Sequence, residues 1–203
     1  MRTTRKLIIS ILLSGAILLI ISGFYWMYST TKPDPTGLEQ AFNPSGDFTL
    51  TDYNGKIFHL RECRGKAVLL FFGYTSCPGI CPMTLSKLAR TRTLLGAAGQ
   101  KVVTVFVTVD PEHDTTARLK EYLGHFDINA VGLTGTKTQI DDAVHAYHAY
   151  YQKIPIRNAL GYTINHTTIV YLIDKDGKVR HLFHQDDSPE NISKVIRENC
   201  SGT

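Results

Sequence analysis

The sequence predicts a layered α/β domain carried behind one N-terminal membrane span, and three observations predict it. Residues 67–72 (AVLLFF) are a continuous apolar run and 102–109 an apolar stretch rich in β-branched residues, the pattern of strands buried on both faces. Each run is followed by residues with helical spacing of apolar positions, giving a strand–helix alternation. Ahead of them, residues 7–31 contain no charge at all.

Taken in order, residues 1–6 are a short basic tail with Arg2, Arg5 and Lys6. Residues 7–27 form an apolar stretch long enough to cross a bilayer, which needs about 20 such residues. The aromatic run at 24–28 (FYWMY) reads as an interfacial belt rather than a cleavage site, and no cysteine follows for a lipid anchor. Positive charges before the span place the N-terminus in the cytoplasm and the remainder outside, as in a bacterial inner-membrane protein. Residues 28–46, with Pro33, Pro35 and Pro44, read as a linker, leaving 47–203 as the folded domain.

Within that domain, residues 48–50 and 57–60 flank Asn54-Gly55, a strong hairpin signal. The buried strand at 67–72 leads through a tight turn into a helix at 83–95. The strand at 102–109 is followed by a helix at about 115–124. A short strand near 130–133 and a helix from about 138 to 151 make a second alternation. Strands at 168–173 and 178–184 are joined by Asp174-Lys175-Asp176-Gly177, and a last helix starts with Ser188 as N-cap and Pro189 in its first turn. A βαβ unit, a hairpin and a closing helix are the thioredoxin arrangement, here with an N-terminal β-hairpin extension and an extra helix.

Charge narrows the function. Without the tail, 19 basic residues face 18 acidic ones, so the domain offers no basic stripe for nucleic acid. Four cysteines, Cys63, Cys77, Cys81 and Cys200, lie beyond the span, where disulfides are permitted.

Cys77 and Cys81 carry the chemistry. They sit where a buried strand turns into a helix, and a helix N-terminus favours a thiolate. If the residues between them are helical, both sulfurs share one face and point outward. Two thiolates on one turn make a soft site that suits Cu(I) or Zn(II). The same pair suits thiol–disulfide exchange.

The run 72–82 (FGYTSCPGICP) resembles the signature of the SCO/SenC family of copper chaperones. Further matches follow in order: 109–115 (VDPEHDT), 162–168 (YTINHTT) and 171–177 (YLIDKDG). The resemblance covers roughly 45–199. It implies a copper site made by Cys77, Cys81 and His166, a single N-terminal anchor, and delivery to the binuclear copper centre of cytochrome c oxidase. The implied partners are the copper-binding subunit of that oxidase, with periplasmic copper chaperones or thiol reductants beside it. Histidine also occupies the place before the hairpin strand where redox-active thioredoxin-like proteins carry a proline, which favours metal binding. Ser76, Gly79 and His113 depart from the family, where histidine, aspartate and arginine are common. The missing charge at position 79 bears on partner contact and redox tuning.

Other candidates have plainer readings. Asp110 and Asp114 are expected to cap the following helix rather than stand beside the metal. His145 and His148 share a helical face but lack a third donor. His181 and His184 fall on opposite faces of a strand. Cys63 and Cys200 are not assigned to each other. Asp174–Gly177 is a turn without the other ligands of a calcium loop. The leading function is a copper metallochaperone, the alternative a membrane-bound thiol–disulfide oxidoreductase using Cys77 and Cys81. Peroxide reduction is disfavoured because no arginine pairs with the cysteine motif in the sequence.

Overall fold

The two apolar runs form the middle of a seven-stranded sheet. A computed structural model of the chain describes residues 46–157 and 159–200, Pro44, and a few N-terminal positions, of which 15, 19 and 21–26 are helical. The chain divides into two units, residues 1–43 and 44–203. The expected anchor at 7–27 and linker at 28–46 fall largely outside the described residues, and among those described no helix is long and apolar enough to cross a membrane.

Nine strands and four α-helices are described. The strands are β1 (Thr49–Asp52), β2 (Ile57–His59), β3 (Ala67–Gly73), β4 (Val102–Thr108), β5 (Ala130–Thr134), β6 (Tyr151–Pro155), β7 (Tyr162–His166), β8 (Val170–Ile173) and β9 (Val179–Phe183). The helices are α1 (Ile80–Leu95), α2 (Thr116–Gly124), α3 (Lys137–Ala146) and α4 (Pro189–Cys200). The sheet order is β2-β1-β5-β4-β3-β8-β9, and β6 and β7 form a separate pair. β3 and β4 run parallel with Ala67 opposite Val102, while β8 lies antiparallel on the other side of β3 with Ile173 opposite Val68. This is a thioredoxin-like α/β fold with a β-hairpin extension at its N-terminus.

All seven residues of β3 and of β4 are buried, and strand alternation divides them between two cores. Val68, Leu70 and Phe72 face Val105 and Val107, with Ile140 and Val144 of α3 and Tyr171 of β8. Leu69, Phe71 and Phe106 face the other way, against Leu85 and Leu88 of α1, Leu119 and Leu123 of α2, and Ile192 and Ile196 of α4. Each such fully buried aliphatic or aromatic side chain contributes about 1.5–3 kcal/mol. The continuous apolar runs therefore follow from helices on both faces.

The caps are local. The N–H of Arg118 donates to the Thr115 hydroxyl, that of Asn191 to the Ser188 hydroxyl, and Thr136 with Gln139 forms a capping box on α3. The expected helix at 138–151 is shorter, because His148 takes a left-handed conformation (φ 49°) and the chain turns back as β6. β6 and β7 were not expected at all. Only one residue of β6 is even half-buried, so it lacks the inside–outside alternation that marks a strand in sequence.

Candidate metal centre

The turn after β3 sets the cysteines, and it differs from the expected geometry. α1 begins at Ile80 with Gly79 as N-cap, so Cys77 lies in the turn before the helix and only Cys81 is helical. Pro82 stands in the first turn, where no intrahelical partner is lost. The sulfurs do not both point outward. Cys77 is half-buried, whereas Cys81 is completely buried. A methyl on Gly73 would stand 2.8 Å from the Cys81 sulfur, so a side-chain-free residue at the end of β3 makes room for that thiol.

His166 closes the group. It is the last residue of β7, is buried, and its Nε2 lies 3.6 Å from the sulfur of Cys81. Its Nδ1 lies 2.9 Å from the carbonyl oxygen of Thr167. A carbonyl only accepts, so Nδ1 carries the proton and Nε2 presents its lone pair to the sulfurs. The rings of Phe71 and Tyr74 pack edge-on to the imidazole, with centroids at 6.2 and 5.8 Å. One ligand atom from each of Cys77, Cys81 and His166 lies within 4.8 Å of the others. Two soft sulfurs and one neutral imidazole in a mostly apolar surround fit a thiophilic ion such as Cu(I) better than an oxygen-seeking one.

The two thiols titrate in opposite directions. A hydrogen bond from the Cys81 thiol is the main force that lowers the Cys77 pKa, to about 3, against burial and with help from the N–H groups of Cys81 and Gly79. The N–H of Cys81 lies 3.4 Å from the Cys77 sulfur. Sequence reasoning credited the helix N-terminus, but the thiol–thiol contact outweighs it. Cys81 moves strongly upward, because it donates to Cys77, is buried and faces a thiolate. Cys63 is a free, buried thiol raised by desolvation.

Asp114 and Arg118 hold the turn, and neither acts as sequence reasoning expected. The buried Asp114 carboxylate accepts from the Thr75 N–H (2.9 Å), the Thr75 hydroxyl (2.5 Å) and the Thr108 hydroxyl (2.6 Å). Thr115, not an aspartate, caps α2. Burial raises the Asp114 pKa against these hydrogen bonds. Arg118 donates to the hydroxyls of Thr75 (2.8 Å) and Ser76 (2.9 Å), so an arginine does lie beside the cysteine motif. Its position in α2, 37 residues beyond Cys81 in number, gave no signal in the sequence. Tyr74 is buried, and its hydroxyl accepts from the N–H of Ile164 in β7.

A second group, Asp110, Glu112 and His113, also brings ligand atoms within 4.8 Å. Lys153 Nζ stands 3.0 Å from Asp110 Oδ1 and 2.6 Å from Glu112 Oε2, so an ammonium already supplies the cation there. His145 and His148 are not in either group of the described residues; His148 lies past the end of α3, so the shared helical face does not form.

A thioredoxin-like domain whose cysteine turn meets a buried histidine from a separate hairpin is the class that fold and site define. The chain belongs to the SCO1/SenC family, whose model matches residues 36–201. It is 34% identical over 197 residues to an SCO2-like protein of Rickettsia conorii, covering 94% of this chain and 96% of that one. Among solved structures it resembles Bradyrhizobium japonicum ScoI with copper bound (TM-score 0.70, 37% identity, 76% of this chain and 98% of that one). It also resembles yeast Sco1 with copper bound (TM-score 0.71, 31% identity, 78% and 89%).

Proposed function

We propose that the chain is a membrane-anchored copper metallochaperone that holds copper through Cys77, Cys81 and His166. One observation carries the reading: two sulfurs and the unprotonated nitrogen of a locked imidazole converge within 4.8 Å. Kinship with two proteins whose structures contain copper supports it. Copper is cargo in this reading. An incoming sulfur or nitrogen of the acceptor replaces one donor at a time, and the half-exposed Cys77 is the accessible end of the site. The expected acceptor is the copper-binding subunit of cytochrome c oxidase, in keeping with a family tied to assembly of that enzyme. Residues 7–27 serve as the anchor of a bacterial inner membrane, residues 28–46 as the linker, and residues 47–203 as the extracytoplasmic domain; the apolar length of 7–27 supports that arrangement.

The test is titration of the reduced protein with Cu(I) against a competing chelator. One copper per chain is expected, held tightly by the native protein and weakly by Cys77→Ala and His166→Ala. Native affinity in His166→Ala would remove the metal reading.

One observation favours a second reading, thiol–disulfide exchange. The thiolate of Cys77 is accessible while Cys81 is buried and protonated, the asymmetry of an attacking and a resolving thiol. Cys77 would attack a partner's disulfide to give a mixed disulfide. Cys81, losing its proton, would then displace the partner as a dithiol, leaving Cys77–Cys81 oxidised by two electrons. In that case His166→Ala keeps reductase activity while either cysteine substitution abolishes it.

A further inference from the structure

His166 is carried on an arm that the main sheet does not hold. β6 and β7 pair only with each other, Tyr151 opposite His166 and Lys153 opposite Ile164. Tyr74 holds its middle through the N–H of Ile164, Asp141 accepts from the Tyr151 hydroxyl beside His166, and a denser set of contacts fixes its other end. The Tyr162 hydroxyl donates to Asp110 Oδ2 at 2.7 Å, and His113 Nδ1 lies 2.6 Å from the same hydroxyl oxygen. With its one proton given to the carboxylate, Tyr162 accepts from His113. Lys153, across the hairpin, reaches the other oxygen of Asp110 and the carboxylate of Glu112, and its ammonium lies 4.5 Å from the centre of the Tyr162 ring. Asp110 is completely buried.

The same short loop grips the cysteine side. The N–H of Asp114 donates to the carbonyl of Asp110 at 2.9 Å, and the Thr108 hydroxyl links the Asp110 N–H to the Asp114 carboxylate. Asp114 holds the Thr75 turn and Asp110 holds the hairpin, from one piece of chain. Tyr162, Ile164 and His166 alternate along one face of β7, so a slip at Tyr162 moves His166 with it.

We propose that Tyr162, Asp110 and Lys153 form a clasp that positions His166 for metal binding, Tyr162 acting as a positioning residue that never touches the metal. This rests on the copper reading of Cys77, Cys81 and His166. Burial and the bond to Asp110 push the Tyr162 pKa up to about 12, so its donor proton is kept at any physiological pH. Burial works against the Lys153 ammonium, but Glu112 and Asp110 outweigh it and raise its pKa.

A double-mutant cycle tests the clasp, read as Cu(I) affinity of the reduced protein by chelator competition. Tyr162→Phe is expected to weaken binding about tenfold in the native background, the low end for residues that orient a metal ligand, and to have no effect once His166 is alanine. Lys153→Ala should show the same dependence on His166, with Lys153→Arg restoring part of the loss. X-ray absorption at copper should show a weaker nitrogen contribution in Tyr162→Phe. An equal loss in both backgrounds would make Tyr162 a contributor to the fold alone and overturn the clasp, as would full native affinity in Tyr162→Phe when His166→Ala is impaired. If His166→Ala is itself unimpaired, the copper reading fails and the clasp with it, a result distinct from the other two.

Discussion

The sulfur of Cys81 lies 3.6 Å from Nε2 of His166, across 85 positions of sequence. That contact joins a helix start to the end of a strand outside the main sheet. It brings together two of the three proposed donors, which lie far apart in the chain.

Space for the Cys81 thiol depends on Gly73. A Cβ there would meet the Cys81 sulfur at 2.8 Å and a ring carbon of Phe106 at 2.8 Å. Gly73→Ala is expected to destabilise the domain by about 1–3 kcal/mol, as overpacking does. It should also weaken Cu(I) binding, because the displaced atom is one of the proposed donors. Thermal denaturation and chelator competition on one preparation check both.

Cys77 should behave as a thiolate throughout the working pH range. Its pKa is lowered to about 3, so ionisation is complete well below neutrality. Iodoacetamide should modify Cys77 ahead of Cys63 and Cys81, at a rate nearly flat between about pH 5 and pH 8. Cys81→Ala removes the largest cause of the shift, and the rate should then climb with pH. Peptide mapping with timed quenching gives the site and the rate.

Asp114 and Arg118 both touch the cysteine turn, with unequal expected effects. Asp114→Ala strands the N–H of Thr75 in a part-buried place, at a cost of about 1–3 kcal/mol. Arg118 is about half exposed, and Arg118→Ala should cost under about 1 kcal/mol. Denaturant midpoints for the two variants order them.

Asp174 supplies an acid-sensitive contribution away from the site. Burial raises its pKa, but the N–H groups of Lys178 and Asp176 and the Arg180 guanidinium outweigh that and bring it below the usual value. A depressed carboxylate pKa stabilises the fold above the unfolded value of about 3.9, and that stability is lost as pH falls through the lower folded value. Asp174→Asn keeps the acceptor for the two N–H groups but removes the charge. Its Tm deficit should be constant from about pH 8 to pH 5 and shrink below about pH 4.

Most of the scaffold was legible in the sequence, because helices on both faces force unbroken apolar strands at β3 and β4 and because Ser188-Pro189 marks a helix start by its own chemistry. The hairpin of β6 and β7 was not, since its exposed strand continues the polar and aromatic texture of the helix before it. Cys77 and Cys81 announced themselves by spacing, and His166 came only through resemblance to a family. Asp110 and Asp114 read in the sequence as helix caps, whereas Thr115 caps the helix. Asp-Pro-x-x-Asp ahead of a helix has the composition of a cap, and only tertiary packing shows one carboxylate turned to Thr75 and the other to Tyr162. Arg118 and Lys153 carry no local signal, because their partners lie 43 and 41 positions away.

The strand order has a consequence in time. β3, which leads into the cysteine turn, pairs on one side with β8, which follows directly from the histidine strand. A ribosome therefore delivers the two thiols long before the imidazole, and the proposed third donor is carried on the segment that leads into β8, a late neighbour of an early strand. An ion that requires all three has no place on an unfinished or half-assembled chain. Occupancy of such a site would certify that the polypeptide has closed correctly, a form of inspection performed by the cargo itself.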